Sequence, residues 1–265
     1  MVFTQMSAQA LSQAIHRRQV SCREVMQACL KQIERHNPTF NAIINLQDPD
    51  GLLQQADACD AQLARGHSMG WMHGLPIAIK DLAATAGIVT TLGSPLLKDS
   101  VPSQDAVMVS RIRRAGAIVI GKTNVPEFGL GSHSFNELFG ATANAYDPSK
   151  TAGGSSGGAA VALAMRMLPV ADGSDFMGSL RNPAGWNNIF GMRPSQGRVP
   201  NAPSSDVYVS QMPTEGPMGR HVTDLALLLS TQAGYDPSAP LSLSTDPHIF
   251  TNDLTVDVKI GRAHV

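Results

Sequence analysis

Two stretches decide the fold class: Leu75-Pro76-Ile77-Ala78-Ile79-Lys80 and, after an intervening segment, Ala117-Ile118-Val119-Ile120. Each is a short, almost wholly apolar run, too short for a helix and of the kind that forms a strand covered on both faces. Between them, residues 105–115 carry helical periodicity, so 75–120 reads as a β-α-β unit. Working outward, helices are predicted over 8–18 and 21–36, the second with Ser21 as N-cap and Glu24 completing a capping box. Asn37-Pro38 is predicted to end that helix, because a residue before proline disfavours helical geometry. A β-prone run follows at 42–46, then a helix at 50–65. Downstream, 157–167 reads as an Ala-rich helix, 168–171 as a strand, 179–186 as the start of a helix and 222–233 as an amphipathic one. Residues 129–156 lack periodicity, and a loop that long is usually functional or mis-assigned. The expected fold class is α/β, a mixed and mostly parallel sheet covered by helices on both faces.

The totals set bounds. A chain of 265 residues with 43% apolar and 15% charged residues can bury a real core. A net charge of −1 gives no global argument for nucleic acid or membrane surfaces. No run approaches a membrane span, and the first residues lack the apolar core of a secretory signal. The three cysteines, Cys22, Cys29 and Cys59, read as reduced thiols of a cytoplasmic protein.

Three segments carry chemistry. Gly153-Gly154-Ser155-Ser156-Gly157-Gly158 lacks the Gly-Lys-Ser/Thr ending of a phosphate loop. It contains the Gly-x-Ser-x-Gly of a nucleophile elbow, but the polar 146–152 replaces the strand an elbow needs, and a flexible loop is the plain alternative. In 170–184 a strand ends in a turn presenting Ser179, where backbone N–H groups of Phe176, Met177 and Gly178 would converge as an oxyanion hole. Asp175 and Arg181 flank that turn and could lock it; Ser179 equally reads as a helix cap. Lys80 at the end of an apolar strand faces desolvation, which favours a neutral amine able to act as a base toward serine, or it snorkels to the surface. His73 and His133 lie near these segments without metal or triad spacing, so loop-packing or solvated roles are expected and no metal site is assigned.

Taken together, GLPIAIKDL (74–82), GKTNVPEFGLGSHS (121–134), GGSSGGAA (153–160) and GSDFMGSLRNPA (173–184) closely resemble the amidase signature family, in order and in spacing. The resemblance implies a Ser–cis-Ser–Lys triad with Ser179 as nucleophile, Ser155 after a cis peptide bond as relay, and Lys80 as base. Ser156 is implied as a supporting hydrogen-bond partner. It also implies amide hydrolysis through an acyl-enzyme, a small-molecule amide as substrate, no cofactor, no direct nucleic-acid or membrane partner, and room for a homodimer. A stand-alone amidase is the preferred reading; the A subunit of a glutamyl-tRNA amidotransferase and an inactive fragment are the alternatives. One departure stands out: Met177 occupies the first of two positions that are glycine in the family pattern. A positive φ there would strain the turn, whereas a negative one leaves the N–H usable. Phe176 and Met177 together would then place apolar bulk near an apolar or aromatic acyl group.

The closing residues 253–260 read as a strand just beginning, and residues 259–265 back-translate to a string that looks like a sequencing adapter. The expectation is that 1–258 is the N-terminal and catalytic-core portion of a longer domain and 259–265 a non-native tail, with a natural terminus as the alternative. On that expectation this chain by itself is poorly stable and weakly active.

Overall fold

A computed structural model describes residues 3–204, 206 and 212–255. The expected tail at 259–265, and most of the strand expected at 253–260, lie outside the described residues. Helix α1 spans Ala8–His16, capped by the Ser7 hydroxyl accepting from the Ala10 N–H, and α2 spans Cys22–Phe40 with the capping box of Ser21 and Glu24 complete. Pro38 does not end α2, contrary to expectation. A proline forfeits one helical hydrogen bond, and the burial of Phe40 in the core favours continuing. The helix stops instead at Asn41 in the left-handed region, while Asn37 Oδ1 accepts from the Ala42 and Ile43 N–H groups and fixes the exit.

Strand β1 (Ile43–Ile44) and helix α3 (Pro49–Ala64, capped by Asp48) precede β2 (Pro76–Lys80). Helix α4 (Val107–Arg114) is shorter than predicted, because Asp105 accepts from the Ala86 N–H and pairs with Arg113 rather than entering the helix. Strand β3 (Ile118–Thr123) runs three residues past the apolar run, since its parallel ladder with β2 continues to the Lys80–Thr123 pair. The long segment read as a loop contains a small hairpin, β4 (Phe135–Asn136) with β5 (Gly140–Ala141). Helix α5 (Gly157–Ala164), strand β6 (Val170–Asp175), helix α6 (Arg181–Trp186), strand β7 (Phe190–Gly191), strand β8 (Thr214–Gly219) and helix α7 (Val222–Gln232) complete the described α-helices and strands.

Two three-stranded sheets result, β1-β3-β2 and β6-β8-β7, meeting where β2 lies beside β6. The α/β class is as expected and the sheets are mixed. Among the described residues, however, only β2 and β3 pair in parallel, and the other ladders are antiparallel. The excess of antiparallel pairing comes from β8, whose Thr-Glu-Gly-Pro-Met-Gly contains a Gly-Pro pair yet pairs along all of β6. Helices do cover both faces. On β2, Ile77 and Ile79 join Met108, Ile112 and Leu228 from α4 and α7. Ala78 points the other way, into a core built from α2, α3 and α5. Strict alternation therefore aims the next side chain on that second face, Lys80, at the start of α5.

Candidate active site

Lys80 is fully buried, and its Nζ donates to Ser155 Oγ and Ser156 Oγ, each at 2.8 Å, to Ser174 Oγ at 2.9 Å and to the Ser174 carbonyl at 3.2 Å. The snorkelling alternative is thus excluded by position: the amine ends inside the protein among hydroxyls. Burial lowers its pKa to about 8, against the opposing pull of Glu215, Asp172 and Asp175. An appreciable fraction is therefore neutral near physiological pH.

Ser155 and Ser156 sit at the mouth of α5, and the Gly154–Ser155 peptide bond is cis, as the resemblance implied. The segment is held from both sides. Ser134 Oγ accepts the Gly157 N–H at 2.9 Å, and the Asn124 carbonyl accepts the Gly158 N–H at 3.2 Å. Gly158 has no room for a side chain, since a Cβ would lie 2.3 Å from the Asn124 nitrogen and 2.6 Å from the Ala42 carbonyl. The Gly-rich run is therefore packed against the end of β3, which excludes a free flexible loop.

Strand β6 delivers the turn that carries Ser179. Asp175, fully buried, accepts from the Gly178 N–H at 2.7 Å, the Leu180 N–H at 3.1 Å and both Nε and Nη2 of Arg181 at 3.0 and 3.1 Å. Arg193 Nη1 adds a further bond at 2.8 Å and also reaches the Asp175 carbonyl. Burial works against ionisation of this carboxyl, but the Arg181, Gly178, Arg193 and Leu180 donors outweigh it and hold the pKa well below the usual carboxylate range. Met177 does not adopt positive φ; the left-handed position falls on Gly178 at +117°, where a Cβ would come within 2.8 Å of Asn182. The methionine thus avoids the strain that a left-handed position would impose.

The three expected oxyanion donors do not stand alike. The Gly178 N–H is already committed to Asp175, whereas those of Phe176 and Met177 meet no acceptor among the described residues. Ser179 is half-buried, and its carbonyl accepts the Ser156 N–H at 3.2 Å, which ties the two serine segments together. Its Oγ makes no hydrogen bond to Ser155, so the Ser179–Ser155 step is not closed in this structure. His73 is buried and bonds to the Cys59 carbonyl and the Met69 N–H, and His133 lies at the surface against Thr151. Among the described residues no cluster of His, Cys, Asp and Glu could hold a metal ion, and no helix is long and apolar enough to cross a membrane.

Sequence reasoning missed Ser174, Asp172, Glu215 and Arg193. Ser174 and Asp172 were legible in principle, since alternation along β6 puts both on one face. Arg193 and Glu215 belong to segments brought in by β7 and β8, and no local spacing announces them.

The α/β fold thus buries one lysine among three serines, beside a turn locked by a doubly salt-bridged aspartate. The chain belongs to the amidase family, whose pattern matches residues 24–262. The A subunit of glutamyl-tRNA(Gln) amidotransferase from Acaryochloris marina is 38% identical over 253 residues, covering 96% of this chain and 52% of that protein. The corresponding subunit from an Azoarcus species is 42% identical over 231 residues, covering 87% and 47%. Among solved structures, a bacterial aryl acylamidase of the amidase signature family superposes with a TM-score of 0.87 at 34% identity, covering 91% of this chain and 50% of the other. The peptide amidase of Stenotrophomonas maltophilia gives 0.82 at 34% identity, covering 90% and 50%. The chain spans about half the length of the curated relatives it matches.

Proposed function

We propose that the chain carries the serine-based catalytic centre of an enzyme that hydrolyses a carboxylic acid amide. The observation that carries this reading is the fully buried Lys80 amine at 2.8 Å from both Ser155 Oγ and Ser156 Oγ. In the neutral state the Lys80 nitrogen accepts the Ser155 proton as Ser155 takes the proton of Ser179. Ser179 Oγ then attacks the amide carbonyl. The N–H groups of Phe176 and Met177, without an acceptor among the described residues, receive the developing oxyanion, with Gly178 shaping the turn rather than donating. The proton returns through Ser155 to the leaving nitrogen as the C–N bond breaks, and water cleaves the acyl-enzyme by the same route. A rotation of the Ser179 side chain would close its bond to Ser155, and the backbone of the two segments is already joined at Ser156.

Phe176 and Met177 are 50% and 78% exposed beside Ser179, which supports an apolar or aryl acyl group as substrate. The similarity to amidotransferase A subunits supports a second reading, in which the same centre releases ammonia from glutamine for a partner. Comparing turnover of aryl amides with that of glutamine separates the two, and glutamine-only turnover would displace the first. For the centre itself, a fluorophosphonate should label Ser179, at a rate that rises with pH through about 8 as Lys80 loses its proton. Undiminished labelling of Ser179→Ala would refute the assignment, and labelling at Ser156 would restore the elbow reading.

A further inference from the structure

Behind Lys80 lie the buried Asp172 and Lys122 and the partly buried Glu215, ionisable side chains that the chemistry above does not use. Asp172 stands two residues before Ser174 on β6 and so shares its face. Glu215 on β8 is the direct cross-strand partner of Ser174, which places it on that face as well. Both Asp172 carboxyl oxygens accept the backbone N–H of Lys80, at 3.0 and 3.2 Å. Glu215 Oε2 is buried without a hydrogen-bond partner. The cations facing this pair are Lys80 on β2 and Lys122 on β3, and Lys122 Nζ is itself held by the Ala83 carbonyl and Thr85 Oγ1, each at 2.7 Å. Asp81 and Asp105 also act on Lys122, and Asp175 on Lys80.

When Lys80 takes the proton from the serines it becomes an ammonium ion with no access to water. The surrounding hydroxyls accept hydrogen bonds but carry no charge. The Asp175 charge is committed to two guanidinium groups. Compensation must therefore come from carboxyls that are not so engaged, and an uncompensated buried charge is strongly disfavoured.

We propose that Asp172 and Glu215 are positioning residues for the Lys80 amine, Asp172 anchoring the strand at Lys80 and the two carboxyls together setting its proton affinity. This inference rests on the reading of Lys80 as base. The titration behaviour agrees with it: burial raises Asp172 to about 6 and Glu215 to about 7, and both carboxyls oppose the lowering at Lys80.

The test is the pH profile of fluorophosphonate labelling in wild type, Asp172→Asn and Glu215→Gln. Asparagine can still accept the Lys80 N–H, so the first variant removes charge while keeping the anchor. In each variant the acid limb should move down by about one pH unit, because a weaker anionic field favours the neutral amine. The high-pH plateau should fall several-fold, because a less basic amine pulls less on the serine proton. A purely structural role would lower the plateau without moving the limb, and that result overturns the proposal. If Asp172→Asn fails to fold, Glu215→Gln decides alone, since it leaves the Lys80 backbone untouched. Labelling of wild type without an acid limb, or its persistence in Lys80→Ala, would sink the base assignment itself and this inference with it.

Discussion

Replacing Asp175 with alanine removes the acceptor for four groups at once. Two are the Gly178 and Leu180 backbone N–H groups, at 2.7 and 3.1 Å from a carboxylate with no solvent exposure. Each N–H left buried and unpaired costs about 1–3 kcal/mol, giving about 2–6 kcal/mol for the pair. The guanidinium partners add little, because the Arg181 side chain is 57% exposed and that of Arg193 27% exposed, so water replaces much of what they lose. Even the lower figure is a large part of the ~5–15 kcal/mol that holds a typical domain folded. The damage falls first on the Ser179 turn, so labelling should decline at least tenfold under conditions where the rest of the chain remains folded. Urea unfolding followed by circular dichroism, with labelling measured in parallel, provides both readouts. The sign with pH is also set. Because the folded-state pKa of Asp175 is depressed, its contribution is complete above the ordinary aspartate value near 4 and is lost as pH falls below it. Wild type and variant should therefore converge in acid. A variant within 0.5 kcal/mol of wild type at neutral pH, with labelling intact, would show that the turn is held by something else.

Two further outcomes follow from burial. Gly158→Ala should cost about 1–3 kcal/mol or prevent folding, because the added methyl meets the Asn124 and Ala42 backbone rather than a movable side chain, and a thermal melt matching wild type would contradict that packing. Cys22, Cys29 and Cys59 are buried, and burial raises all three thiols, Cys29 to about 12. A thiol reagent at neutral pH should find no reactive cysteine in the native chain and three after denaturation.

How much of this was legible beforehand depends on the range of the interaction. The capping box at Ser21 and Glu24 and the buried strand ending at Lys80 are local patterns, and both appear where the sequence put them. Pro38 misled, and β8 drew no expectation, for one reason. Local propensity argues against a proline inside a helix or a Gly-Pro pair inside a paired strand, and in both places burial of neighbouring side chains outweighs it. Met177 is a third case: its sequence position raised a question about φ that only the turn could answer, and the turn assigns positive φ to Gly178 instead.

The sequence by itself determined the α/β class and the family and singled out Lys80, Ser155, Ser156 and Ser179 as candidates, because strand alternation and glycine-rich turns are written in short stretches. Only the tertiary structure decided what surrounds them. Ser174 completes the shell around the amine, the Gly178 N–H serves Asp175 rather than a substrate, Arg193 joins the lock on the turn, and Asp172 and Glu215 stand behind the lysine. Each of these depends on strands distant in sequence meeting in one register, and burial then fixes the charge states that the chemistry can use.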